Sequence, residues 1–278
     1  MCHRVPWTKD VYSGRKVRIT STLPRLIHGT MTEFPSISMP PALSTENMVE
    51  VDRAMIEDLG IELVQMMENA GSCLARVAVA RFLAGDPRGR RIVLLAGSGG
   101  NGGGAMVAAR RLAGWGAYVE VRLATAEERL QPVTAHQLAV LRRFEISIAD
   151  PESAGAREAL SEADLVIDGL IGYSLAGAPR GAAAVLITAA NETDAPVLSL
   201  DVPSGLSASS GEVHEPTIRA SATLTLALPK HGLLGERARD FVGELYLADI
   251  GVPPTLYVKL GLEDPGPLFA DGDIVQLS

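Results

Sequence analysis

Residues 91–116 read RIVLLAGSGGNGGGAMVAARRLAGWG. RIVLLAG is an apolar run of strand length and GGAMVAARRLAGWG carries helical spacing, so the stretch predicts a strand, a tight loop and a helix. Six of the eight residues from Gly97 to Gly104 are glycine, a density that raises the entropic cost of folding. Bare N–H groups ahead of a helix N-terminus form a cradle for phosphate or pyrophosphate, and Gly97-x-Gly99-x-x-Gly102 matches the dinucleotide fingerprint. Glycine can equally serve to let helix and strand pack closely. The loop alone leaves both readings open.

Outward from this unit the same rhythm repeats. AYVEVRLA, ISIAD, DLVIDGLIG and PVLSLDVPSG read as strands, with TAHQLAVLRRF, SAGAREALSEA and AAAVLITAANE as helices between them; ATLTLALPK and GELYLADIG add two strands. Short apolar strands alternating with helices predict an α/β three-layer sandwich around a mostly parallel sheet. A helical lead precedes it. TENMVEVDRAMIEDLG, capped at Ser44-Thr45, spaces Met48, Val51, Ala54, Met55 and Leu59 on one face and ends at Gly60. ELVQMMENAGSCLARVAVARFLAG is apolar on more than one face and should be buried. The expected organisation is a basic, flexible extension over 1–43, one domain over 44–253, and an irregular, proline-bearing tail over 254–278.

In a parallel sheet every loop following a strand opens at the same carboxyl edge. Three such loops are unusual: GSGGNGGG (97–104), DGLIGYSLAGAPRG (168–181) and DVPSG (201–205). With the first five strands ordered 3-2-1-4-5, the first two loops flank the switch point where ligands bind, with Asp201 and Ser204 beside them. Asp168 and Asp201 both end apolar strands, where a carboxylate needs a partner. In a cleft Asp201 suits acid–base work, although capping or ribose binding is the plainer role. Asn101, Asp168 and Ser204 offer oxygen donors alone, which favours a hard cation over zinc.

Bulk composition narrows the field. No apolar run reaches the length of a bilayer span. Two cysteines, Cys2 and Cys73, provide neither a disulfide framework nor a metal cluster, which fits a cytoplasmic setting. Residues 1–30 hold six Lys/Arg against Asp10 alone, leaving 19 basic against 32 acidic residues in the remainder. A body that acidic is a poor nucleic-acid binder. The basic lead reads as a targeting peptide, a loose tail, or residues ahead of a true start at Met31 or Met39. The five histidines show no ligand spacing, and Lys230, ending LALPK, reads equally as a phosphate contact or a surface lysine. A nicotinamide dehydrogenase would call for an acid after the second strand, where Arg122, Leu123 and Ala124 stand instead.

These segments resemble the YjeF N-terminal family, the NAD(P)H-hydrate epimerases. The resemblance rests on Met67-Glu68-Asn69-Ala70-Gly71, Gly97 to Ala105, Asp168 to Ser174, Asp201 to Gly205, Thr223 to Lys230 and Val242 to Gly251, in order from about Glu46 to Pro253. It implies a Rossmann-like fold and interconversion of the R and S forms of hydrated NADH or NADPH, repaired further by a separate dehydratase. It also implies one potassium ion per subunit on Asn101, Asp168 and Ser204. Gly100, Asn101, Gly102, Gly103 and Gly104, with Gly172, Tyr173, Ser174, Leu175, Ala176, Gly177 and Ala178, would hold the nucleotide, and Asp201 would bind it and act in catalysis. A homodimer is common in such a family. Departures fall at Gly100, Gly104 and Ala105 in the first loop and at Gly169, Ile171, Tyr173 and Ser174 in the second. They leave room for a retuned or non-catalytic nucleotide-binding or interaction module.

Overall fold

The computed structural model describes residues 34–150 and 153–278. Of the extension expected over 1–43, residues 1–33 lie outside the described residues. RIVLLA forms β2 (Arg91–Ala96), whose alternate side chains enter opposite cores: Ile92 and Leu94 face one layer of helices, Val93 and Leu95 the other. Each such Leu, Ile or Val taken fully out of water contributes ~1.5–3 kcal/mol. A strand buried on both sides must sit centrally, and β2 pairs in parallel with β3 (Tyr118–Leu123) and β5 (Leu165–Gly169).

With β1 (Ser36–Ile37), β4 (Ser147–Ala149), β6 (Val197–Leu200), β7 (Ala222–Leu226), β8 (Glu244–Ala248) and β9 (Ile274–Leu277), the sheet runs β1-β9-β8-β7-β6-β5-β2-β3-β4. All neighbours are parallel except β8 and β9. The expected order of the first five strands and the switch between β2 and β5 are both present.

One face is covered by α2 (Leu63–Val77, continuing as a π turn to Phe82), α3 (Gly100–Gly114) and α4 (Pro132–Arg143). The other carries α5 (Ala156–Ser161) and α6 (Gly181–Asn191). α1 (Thr45–Glu57) starts where Ser44 accepts the Asn47 N–H at 3.2 Å. It buries Met48, Val51, Ala54 and Met55 in a cluster with Leu228 and Ile250, while Leu59 stays exposed. Among the described residues no helix is long and apolar enough to cross a membrane.

Three boundaries differ from the sequence reading. α3 begins at Gly100, inside the glycine run, three residues ahead of the start read from the sequence. The tail expected to be irregular contains a short helix, Pro254–Lys259, and then β9. β9 covers the β8 edge and is itself covered by β1, from the segment assigned to the extension. An unpaired edge is a liability, and distant residues resolve it here.

Candidate active site

The glycine run divides by neighbourhood. A Cβ on Gly97 would lie 1.8 Å from the Leu170 carbonyl oxygen, and one on Gly102 would lie 2.1 Å from that of Gly97. Gly103 would meet Met67 Sδ at 2.7 Å, and Gly104 presses its own carbonyl against Gly71 of α2, at 2.4 Å from a Cβ built there. These glycines let strand, loop and two helices approach. Gly99 and Gly100 differ: a Cβ on either meets nothing closer than 3.8 Å. They stand at the N-cap and first residue of α3, where first-turn N–H groups lack helical partners. Close packing therefore accounts for Gly97, Gly102, Gly103 and Gly104, while the backbone at Gly99 and Gly100 is left open.

The β2 and β5 loops face each other as the strand order requires, with Gly97 N–H donating to the Gly169 carbonyl at 3.1 Å. Asp168 lies fully buried between them. It accepts from Ser204 Oγ (2.6 Å), Ser204 N–H (2.9 Å), Ser199 Oγ (2.9 Å) and Leu170 N–H (3.1 Å). Burial pushes its pKa up, against the pull of those donors. Ser204 Oγ also accepts from Ile171 N–H, tying the third loop to the second. Asn101 donates to the Leu200 carbonyl at 2.7 Å, while its Oδ1 lies against Gly172, 2.7 Å from a Cβ built there.

Asp201 has φ +67°, a left-handed conformation sparsely used by non-glycine residues. The turn buries its carboxylate, which forms an ion pair with the wholly buried Lys230. Tyr173 N–H donates to Asp201 Oδ2 at 3.3 Å, and Thr225 Oγ1 approaches Oδ1 at 3.5 Å. Lys230 also donates to the Leu226 carbonyl at 2.8 Å. Above this pair opens a cavity of about 410 Å³ whose charged lining side chains are Asp52, Asp201 and Lys230.

Gly100, Asn101, Gly104, Gly172, Tyr173, Ser174 and Asp201 line that cavity. Asp168 and Ser204 support its floor. Gly102 and Gly103 do not line it, because they are consumed in packing, and Leu175, Ala176, Gly177 and Ala178 lie outside it, the last three exposed to solvent. Two roles escaped the sequence reading. Lys230 is not a surface lysine but the counter-ion of Asp201. Asp52 of α1 accepts the Tyr173 phenol at 2.5 Å; its signal was an acid on the same helical face as Met48 and Met55.

Among the described residues no group of three His, Cys, Asp or Glu side chains could gather a metal ion. Asn101, Asp168 and Ser204 do converge on neighbouring loops, presenting one carboxylate and neutral oxygens. That set of oxygen donors fits a hard cation.

Residues 63–232 match the family described as YjeF-related protein N-terminus. An NAD(P)H-hydrate epimerase from Dehalogenimonas lykanthroporepellens is 43% identical over 232 residues, covering 83% of this chain and 90% of the relative. One from Rhodopirellula baltica is 34% identical over 219 residues, covering 79% and 87%. Against a bifunctional NAD(P)H-hydrate repair enzyme Nnr from Salinibacter ruber, identity is 35% over 239 residues, with 82% of this chain but 43% of the relative covered. The crystal structure of yeast ynu0 shares the fold at TM-score 0.75 and 24% identity, covering 85% of this chain and 100% of that one. The matched segment holds both glycine-rich loops, DVPSG and Lys230, and by that match the chain belongs to the YjeF-related N-terminal family.

Proposed function

We propose that this protein is an NAD(P)H-hydrate epimerase, interconverting the R and S forms of hydrated NADH or NADPH. The observation that carries the reading is the Asp201–Lys230 pair set at the base of a cavity between two glycine-rich loops. The open backbone at Gly99 and Gly100, with the α3 N-terminus behind it, suits the pyrophosphate. Gly172, Tyr173 and Ser174 form the facing wall, and Asn101 stands between. The hydrated nicotinamide then lies toward Asp201, whose carboxylate binds it and moves a proton while Lys230 supplies the counter-charge.

Asn101, Asp168 and Ser204 would hold a potassium ion, which when bound supplies a fixed positive charge beneath the nucleotide loops. We place the enzyme in the cytoplasm, as a homodimer working with a separate dehydratase. A purely binding module would have no use for a buried, ion-paired carboxylate in a strained turn, so the catalytic reading is preferred.

The test is incubation with R-NADHX plus an S-specific dehydratase. Wild-type protein consumes the R form, and Asp201→Asn abolishes that consumption while circular dichroism stays unchanged. Normal turnover by Asp201→Asn removes the proposed proton-transfer role.

A further inference from the structure

We propose that Asp52 of α1 is a second acid–base residue of this site, acting with Asp201 on the same ligand. The inference rests on the epimerase reading and extends it to a residue outside the matched segment 63–232.

Tyr173 touches both carboxylates. Its backbone N–H donates to Asp201 Oδ2 at 3.3 Å, and its phenol donates to Asp52 Oδ2 at 2.5 Å. The two acids thus stand one tyrosine apart, Asp201 on the sheet edge and Asp52 on the helix above it. Lys230 is engaged by Asp201, Thr225 Oγ1 and the Leu226 carbonyl, leaving Asp52 as the lining carboxyl not hydrogen-bonded to a cation. The placement of α1 is built in. Leu43 N–H donates to the Pro229 carbonyl at 2.8 Å and the Leu43 carbonyl accepts from His231 N–H at 3.1 Å, so the helix start is anchored on both sides of Lys230.

The chemistry asks for two such groups. In a hydrated nicotinamide the hydroxyl sits on the carbon beside the ring nitrogen, and inversion requires it to leave one face and return on the other. Asp52 gives its proton to the hydroxyl oxygen; the C–O bond breaks with its electron pair leaving as water, while the nitrogen lone pair forms C=N. Water adds to the opposite face, the pair returns to nitrogen, and the proton released goes to Asp201. At the C=N stage both carboxyls are ionised and the proton has left with the water; after addition Asp201 holds one proton, which the reverse reaction or exchange with solvent returns to Asp52.

The groups facing Asp52 support this assignment. Burial raises its pKa and the Asp201 charge adds to the rise, while the Tyr173 hydrogen bond and the Lys230 charge oppose it. Tyr257, on which the Asp52 charge also acts, is pushed up by burial and stays neutral.

The experiment compares wild type, Asp52→Asn, Asp52→Glu and Tyr173→Phe as full chains on R-NADHX across pH. Wild-type turnover decides the parent reading by itself. Given turnover, Asp52→Asn lowers kcat about 10²–10³-fold with KM little changed and the thermal midpoint retained, and it loses the alkaline limb. Asp52→Glu recovers part of the rate. Tyr173→Phe removes a hydrogen bond that favours the carboxylate, so the alkaline limb moves up by about one pH unit. Wild-type kcat with both limbs intact in Asp52→Asn overturns the proposal, and so does an unmoved alkaline limb in Tyr173→Phe.

Discussion

Asp201 combines three costs: a left-handed backbone, full burial of its carboxylate, and a buried lysine beside it. Removing one partner of such a pair leaves an uncompensated charge in the interior, which costs ~3–5 kcal/mol. Lys230→Met should lower stability by that order, and adding Asp201→Asn should restore most of the loss. Urea unfolding of both single variants and the double variant measures the coupling; a Lys230→Met protein as stable as wild type would show the pair to be energetically idle. Asp168 and Asp201 were legible as candidates because a carboxylate closing an apolar strand already conflicts with its surroundings. The role of Lys230 was not, since a lysine after an apolar strand is ordinarily solvated, and Asp201, 29 residues away, together with the Leu226 carbonyl makes its burial tolerable.

Among the elements, the β2–α3 unit shows one glycine run holding both crowded and open positions. Gly97 and Gly102 are in backbone contact, so Gly97→Ala and Gly102→Ala should each destabilise by ~1–3 kcal/mol through forced displacement. Gly100→Ala should behave in the opposite way. Its Cβ meets only Met67 Cε at 3.8 Å, and alanine favours helix over glycine by ~1 kcal/mol. Stability is kept or raised, while the methyl enters the cavity and weakens nucleotide binding. Thermal midpoints with titration of the ligand separate the two classes; equal destabilisation at all three positions would contradict the division. The alternation of period-2 and period-3.6 patterns made the strand–helix unit readable, but not which glycine was crowded. That depends on Leu170 and Met67, which belong to other elements.

For the molecule as a whole, three loops from separate crossovers share one edge, and anything binding all three should stabilise the folded chain. By mass action, hydrated nucleotide at one hundred times its Kd adds ~2.7 kcal/mol to unfolding. Potassium on Asn101, Asp168 and Ser204 should act in the same way. Replacing it with choline at equal ionic strength should lower both the thermal midpoint and the epimerisation rate. Identical midpoints and rates in the two salts would remove the cation from the proposal.

The pattern of short apolar strands and helices determined by itself the parallel sheet and the edge to which the loops of Asn101, Asp168 and Asp201 belong, whereas the strand order around β2 was an assumption that the tertiary structure bore out. The sheet and that edge follow from local periodicity and from the way parallel crossovers return every strand end to one side. Tertiary structure alone decided that Lys230 neutralises Asp201, that α1 brings Asp52 over the cavity to Tyr173, 121 residues away, and that β9 and β1 close the far edge of the sheet. A residue's burial and charge partners are properties of what packs against it, and no window of sequence contains both sides of such a contact.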